Sequence, residues 1–509
     1  MKKTAPGKLL TVLVILFFLL GSLAGSQQVT QAAPTHLPGT GMACFRGLDT
    51  IKARLTELVN DYPGLAEIVD IGDSWEKVDG VATTAGSDLL VLRLTNELVS
   101  GPKPAMFVIS GLDSRDIQGV ELNLRFAERL LSDYGTDPDV TMVLDTSEVH
   151  LLVVANPDGR QELERQFAAE NGEYLTRDEA WGRNRNLTNC AFGVDLTRNF
   201  YPFDAIPSLI CGKQYEGPEP ESEPEALAIA TYLRHLRNEF LYEDRAAPDA
   251  PVEENKAGLF ISLTKWDPNH DFIYYPYHSS YLSDPTETAN WTISLANKLA
   301  NVPGNDDWLH AAKAPDLTWY GNLLDYAYGK LGVASLEMRI KSLSYLGRFP
   351  NCSQFTDTIV EAWLGALTKA GRSTPRPYEF AQGPEITSVS IFPPTLPFNQ
   401  TWDVTGNVDA RDYQRLDANN LPANPEGVDY SKDLPPWHES AVRSTATYTP
   451  DSSFNYLGTF SAQVEVDSTV LDGLQSVYLQ AANTDGKLGI PRAVFLNRIY
   501  YLILPIVSR

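Results

Sequence analysis

The run Met106-Phe107-Val108-Ile109-Ser110-Gly111-Leu112-Asp113-Ser114-Arg115-Asp116 decides the fold. Met106–Ser110 is an unbroken apolar stretch closed by a small hydroxyl, the pattern of a strand buried on both faces. Gly111 ends it, and a charged turn follows at once. From Val120 the spacing changes, and Val120, Leu124, Ala127 and Leu131 fall on one face of a helix. Buried strand, polar turn and helix together form the repeating unit of an α/β sheet, where ligands sit beyond the carboxyl ends of strands.

The same transition recurs along the chain. Val149–Ala155 opens into Asn156-Pro157-Asp158-Gly159, Leu259–Leu263 into Thr264-Lys265, and Val333–Leu336 into Glu337. Asp88–Leu94 is a further strand. Helices are predicted over 45–61 (Ile51, Leu55, Leu58, Val59 on one face), over Ser222–Arg237 with Ser222 and Glu225 as a capping box, and over Ile359–Ala370, stopping at Gly371. A mixed sheet follows, with a candidate site assembled from four separate strand ends. Near residue 375 the composition shifts. Pro375-Arg376-Pro377 reads as a linker over 374–383, and 384–500 is rich in Thr, Ser, Val, Asp and Asn. Short β stretches at Ile386–Phe392, Ala441–Tyr448, Ser461–Val466 and Ser476–Ala482 predict an immunoglobulin-like sandwich, with a tail over 501–509.

Composition bounds the function. The 509 residues are 43% hydrophobic and 21% charged, a globular mix long enough for two or three domains. Lys+Arg number 41 against 65 Asp+Glu, a net charge of −24, which argues against nucleic acid or anionic lipid as a partner. Lys2, Lys3 and Lys8 ahead of the apolar run Leu9–Leu20 read as an export signal over 1–33, with no membrane-spanning run after it. The expected place is secreted or extracytoplasmic, with retention at the cell surface left open. Four cysteines in an exported chain predict two disulfides, Cys190–Cys211 and Cys44–Cys352. A cysteine zinc site would need CxxC spacing, which is missing. His150 lies inside a strand and reads as a core histidine.

Taken in order, these segments resemble the zinc metallocarboxypeptidases of the carboxypeptidase A/B type over about residues 43–373. The resemblance rests on Asn156-Pro157-Asp158-Gly159, Trp181-Gly182-Arg183-Asn184-Arg185, Gly193-Val194-Asp195-Leu196-Thr197-Arg198-Asn199-Phe200, Ser222-Glu223-Pro224-Glu225, Tyr275-Pro276-Tyr277, Asp325-Tyr326-Ala327-Tyr328-Gly329 and Ser335-Leu336-Glu337. It implies a mixed, mostly parallel eight-stranded sheet with helices on both faces, followed here by the all-β sandwich. It also implies a peptidase whose zinc is held by two His and one Glu.

Those ligand positions carry Asp113, Asp116 and Thr264. Two carboxylates and a hydroxyl suit calcium or magnesium better than zinc, and a hard cation normally needs several more oxygens, so the metal-free reading is favoured. Without a metal, Asp113 and Asp116 read as an Asx-turn residue and a partner for Arg115. The resemblance further implies Arg115, Arg198 and Thr197 as carboxylate-binding positions. Gly182 falls where the family has its oxyanion arginine, with Arg183 adjacent. Leu317 falls at the mobile tyrosine, with Trp319 and Tyr320 close by. Glu337 stands at the general base, or alternatively pairs with Arg198 or Arg115. Three functions are carried forward: a binder of peptide C-termini or small carboxylates, an active metallocarboxypeptidase, and a cell-surface structural or adhesion protein.

Overall fold

A computed structural model describes residues 43–80, 86–169, 175–176, 178–188, 190–200, 211–212, 214–239, 252–264, 271–276, 287–302, 309–313, 322–340, 349, 352–393, 401–411, 424–465 and 474–497. The expected export signal over 1–33, the tail over 501–509, Leu317, Trp319 and Tyr320 lie outside these residues.

Eight strands form the first sheet: β1 (Ala66–Asp73), β2 (Asp88–Leu94), β3 (Ala105–Ser110), β4 (Glu148–Leu152), β5 (Leu259–Thr264), β6 (Asp271–Tyr275), β7 (Leu309–Lys313) and β8 (Ala334–Arg339). Their order is β1-β2-β4-β3-β5-β8-β6-β7. Strands β4, β3, β5 and β8 are parallel neighbours, as are β6 and β7, while β1–β2, β2–β4 and β6–β8 are antiparallel. The four strands whose ends carry the candidate residues therefore point the same way, and their C-terminal ends share one edge.

Every residue of β3 is buried, as its apolar run requires. Met106 and Val108 face one core with Ile261, Leu263, Leu336 and Met338, under the helices Ile117–Asp133 and Asp357–Ser373. Phe107 and Ile109 face the other with Phe260, under Ala226, Ile229 and Leu233 of the helix Pro224–Glu239. Each fully buried side chain of this size contributes about 1.5–3 kcal/mol relative to exposure. Gly119 lets the helix Ile117–Asp133 lie against β5: a Cβ there would come 2.9 Å from the Leu263 carbonyl oxygen. That close approach brings Asp116, which precedes the helix, toward the end of β5.

Some expected boundaries shift. The first helix begins at Leu48 rather than 45, and the last runs past Gly371 to Ser373. The capping box does not form. Glu225 instead accepts from the Trp75 N–H at 2.8 Å, in another element.

The second part is two four-stranded antiparallel sheets. Strands β9 (Glu385–Phe392), β10 (Thr401–Asp409), β11 (Pro425–Lys432), β12 (Arg443–Thr445), β13 (Thr447–Pro450), β14 (Leu457–Glu465), β15 (Leu474–Asn483) and β16 (Arg492–Asn497) pair in the orders β13-β14-β10-β9 and β12-β11-β15-β16. Trp402, Val404, Phe460, Val477, Leu479 and Leu496 fill the space between them.

The segment 374–383 differs from the expected linker. Pro377 opens a short helix, Pro377–Phe380, and Tyr378, Phe380 and Ala381 are buried in the first core. Lys298, itself fully buried, donates to the carbonyls of Phe380 and Gly383 at 2.7 Å each. The sandwich is held as closely. Asp139 accepts from the Ala493 N–H at 2.8 Å and pairs with Arg492 at 2.9 Å and Arg372 at 3.3 Å. Met142, Tyr478 and Ala493 close an apolar patch beside it, against Trp437.

Asp139 is thus the acceptor on which two arginines and an edge-strand amide converge. Asp139→Ala leaves the buried Arg372 without this carboxylate and should cost about 3–5 kcal/mol in chemical denaturation. A loss under about 1 kcal/mol would show that the junction does not depend on this cluster.

Candidate functional site

Past β3 the chain turns at Gly111, whose φ of +70° suits glycine. Asp113 follows, buried to 2% exposure. Arg115 folds back onto it. The Arg115 N–H donates to Asp113 Oδ1 at 3.0 Å, its Nε to the same oxygen at 2.8 Å, and its Nη2 to Oδ2 at 2.5 Å. This is an Asx turn closed by a two-point guanidinium–carboxylate pair. The Asp113 charge, with Asp116 and Asp195 adding to it, holds the Arg115 guanidinium firmly protonated against the cost of burial.

Gly182 makes the pair possible. A Cβ at this residue would lie 2.4 Å from Arg115 Nε and 2.8 Å from Asp113 Oδ1. The turn is also tied to the 181–182 backbone, with the Ser114 hydroxyl donating to the Trp181 carbonyl at 2.6 Å and its N–H to that of Gly182 at 3.3 Å. Asp116 is buried and precedes the helix Ile117–Asp133 without capping it through its side chain. Thr264 closes β5 in register with Arg339, and among the described residues its buried Oγ1 finds no hydrogen-bond partner.

Glu337 lies in β8 between Ser262 of β5 and Tyr274 of β6. Its Oε1 accepts from Arg339 Nε, and that guanidinium rests 4.2 Å over the Tyr274 ring. The expected alternative pairing with Arg115 or Arg198 is therefore corrected. Two residues on in a strand point to the same face, so Arg339 is the nearer cation. Burial, with the Glu337 charge adding, pushes Asp325 up to about 7, while its hydrogen bond from Asn322 opposes the rise. The sequence reading gave Asp325 no role. The signal was Asn322, whose Oδ1 accepts the Asp325 N–H at 2.7 Å as a helix cap.

Asp195 caps a short 3₁₀ turn, Leu196–Arg198. The Thr197 hydroxyl donates to Asp195 Oδ1 at 2.6 Å, and Arg198 Nε stands 3.6 Å from Oδ2. Arg183 donates to the Phe192 carbonyl at 3.0 Å, its guanidinium 5.8 Å from that ring. Burial lowers the Arg183 pKa, and it stays charged at any working pH. A cavity of about 310 Å³ is lined by Arg115, Arg183, Arg198, Asp195, Trp181 and Phe192 among others. The structure thus brings the three arginines together, with Asp113 behind Arg115. Thr264 and Glu337 are not among the residues lining this cavity.

Cys44 and Cys352 form a disulfide. Cys190 and Cys211, the second expected bridge, stand next to each other with no disulfide between them in the structure. They meet through a hydrogen bond that raises the Cys211 pKa, and Cys190 is packed with Val194 and Tyr215. His150 is buried in β4, its Nδ1 2.8 Å from the Tyr232 hydroxyl.

A buried acidic layer supports the 183–186 loop. Asn184 donates to Glu223 at 2.6 Å, and Asp158 accepts from Ser74 and from the Glu76 N–H. Burial pushes Glu225 up to about 8. The folded chain then keeps a proton that the unfolded chain releases near 4.5, so stability falls as pH climbs from about 4.5 to about 8. Asp325 acts in the same direction up to about 7. Glu225→Gln should flatten much of that fall in unfolding midpoints measured across pH 5–9. An unchanged slope would remove Glu225 as its source.

The family model described as zinc carboxypeptidase matches residues 51–365. The chain belongs to that family. It is 26% identical to mouse (Mus musculus) carboxypeptidase A2 over 340 residues, covering 66% of this chain and 71% of the relative. Against bovine (Bos taurus) carboxypeptidase A1 it is 24% identical, covering 64% and 69%. Among solved structures, thrombin activatable fibrinolysis inhibitor aligns at 21% identity and a TM-score of 0.49 over 65% of this chain and 74% of that one. Carboxypeptidase A from Helicoverpa armigera aligns at 20% and 0.46 over 72% and 80%. No helix among the described residues is long and apolar enough to cross a membrane.

Proposed function

We propose that this chain is an exported member of the zinc carboxypeptidase family that binds peptide C-termini or small carboxylates and does not cleave them. The observation that carries the reading is the Arg115–Asp113 pair seated in the space left by Gly182. Zinc fits this donor set poorly. Both Asp113 oxygens already accept from a fixed cation, and Thr264 offers a neutral hydroxyl where a metal needs an anionic or imidazole donor. A calcium or magnesium ion would meet the same guanidinium and would need more oxygens than Asp113, Asp116 and Thr264 supply.

Arg198 and Arg183 line the cavity as forked donors suited to a carboxylate. The competing reading, hydrolysis, draws on Glu337 at the general-base position. Against it, Glu337 is held by Arg339.

Calorimetry with an N-blocked dipeptide acid and its C-terminal amide tests the reading. The acid should bind and the amide should not. Arg198→Ala should weaken the acid roughly tenfold or more, since a charge-assisted hydrogen bond is worth about 1.5–3 kcal/mol. Equal affinity for acid and amide, or turnover abolished by Glu337→Gln, would contradict it.

A further inference from the structure

The β-sandwich carries a cavity of its own, about 560 Å³, at one end of the sheet β13-β14-β10-β9. Asp409, Arg411, Thr449, Asp451, Ser452 and Thr459 line it, with Pro450 and Leu457 as apolar wall. Arg411 grips Asp409, its Nε 3.0 and 2.9 Å from the two oxygens and its Nη2 2.5 Å from Oδ2, yet 60% of its side chain stays exposed. Asp451 Oδ1 accepts the N–H groups of Ser453 and Phe454 at 2.8 and 2.9 Å, an Asx turn. Its Oδ2 makes no hydrogen bond among the described residues. The same turn fixes Phe454, which is 49% exposed with its ring 5.4 Å from that of Tyr456.

Two polar rows cross the sheet from this cavity. Thr449, Thr459, Asn407 and Ser388 are cross-strand neighbours in the first row, and the first three line the cavity. Thr447, Ser461, Thr405 and Ser390 form the second, two residues along each strand and on the same exposed face. Asn407 donates to the Ser388 hydroxyl at 2.8 Å. The remaining hydroxyls of both rows make no hydrogen bond to protein among the described residues. Strand pairing sets neighbours about 4.7–4.9 Å apart across the sheet.

These rows hold no charged residue, in a chain of which 21% is charged. An exposed sheet with two edge strands is ordinarily guarded by lysines or other charges, and here the guard is missing. Hydroxyls donate and accept alike, so the face matches a ligand that does the same at regular intervals. It does not suit an anion, because Arg411 is already matched by Asp409 and Asp451 adds negative charge. A mainly apolar peptide would find little to bury against. We infer that the cavity and the two rows bind a neutral polysaccharide, a ribbon-like chain of equatorially linked pyranoses such as a cellulose-like glucan. One sugar ring would enter the cavity, its hydroxyls meeting Arg411 and Asp451 Oδ2 and its C–H face meeting Leu457 and Pro450. The following rings would lie across the rows, and Phe454 offers an aromatic face for stacking. The sandwich then holds the chain on a polysaccharide surface. This inference is independent of the carboxylate-binding reading.

The test uses the full chain, with calorimetry against cellohexaose and native gels containing hydroxyethyl cellulose or its charged counterpart, carboxymethyl cellulose. Cellohexaose should bind, and the neutral polymer should retard the protein more than the charged one. Thr459→Lys, which puts a long side chain at the cavity and in the first row, should weaken cellohexaose more than tenfold. Thr459→Val, which removes one hydroxyl and keeps the β-branched shape, should weaken it about fivefold. Unchanged unfolding midpoints for both variants exclude a folding defect, and a loss of binding confined to Thr459→Lys with a lowered midpoint would count against the site. Failure of cellohexaose to bind, affinity unchanged in both variants, or equal retardation by the two polymers would overturn the inference.

Discussion

A guanidinium lies against the Asp113 carboxylate in a space that any side chain at residue 182 would fill. The rest of the site depends on that contact. Asp113 is buried, and a buried carboxylate without a partner costs several kcal/mol, so something positive must stand beside it. Arg115 meets the need from two residues along the same turn. Once it does, the carboxylate has few lone pairs left for a metal, and Arg198 and Arg183 become the forks that face the remaining cavity. Gly182 and Arg115 are therefore read together. The absent side chain at one position is what allows the pair at the other.

How much of this was legible in the sequence depends on the range of the interaction. The buried strand at Met106–Ser110 declares itself because both its faces are apolar, and four strands that open into polar residues mark a shared site; the order β4, β3, β5 and β8 is set by pairings that only the fold shows. The Asx reading of Asp113 was also legible, since the partner is two residues away. The space at Gly182 was not. It is defined by Arg115 and Asp113, some seventy residues earlier in the chain, and only the fold brings them together. Arg339 was missed as the partner of Glu337 because strand neighbours on one face were not weighed against more distant arginines.

The linker shows the same limit from the other side. Two prolines near a composition shift signal a break in regular structure, and the break is real. Their neighbours Tyr378 and Phe380 are apolar, however, and they pack into the first core instead of lying in solvent. Gly383 then lies against the 488–489 backbone, where a Cβ would come 2.1 Å from the Leu488 carbonyl carbon. With Asp139 bridging Arg372 and Arg492, the sandwich is built into the protein instead of swinging from it.

The most direct measurement is anomalous diffraction at the zinc edge from crystals of the full chain grown with zinc. The account predicts no anomalous peak among Asp113, Asp116 and Thr264, with density for Arg115 lying in two-point contact with Asp113. A zinc ion at about 2.0–2.2 Å from an Asp113 oxygen, with Arg115 turned away, would contradict it.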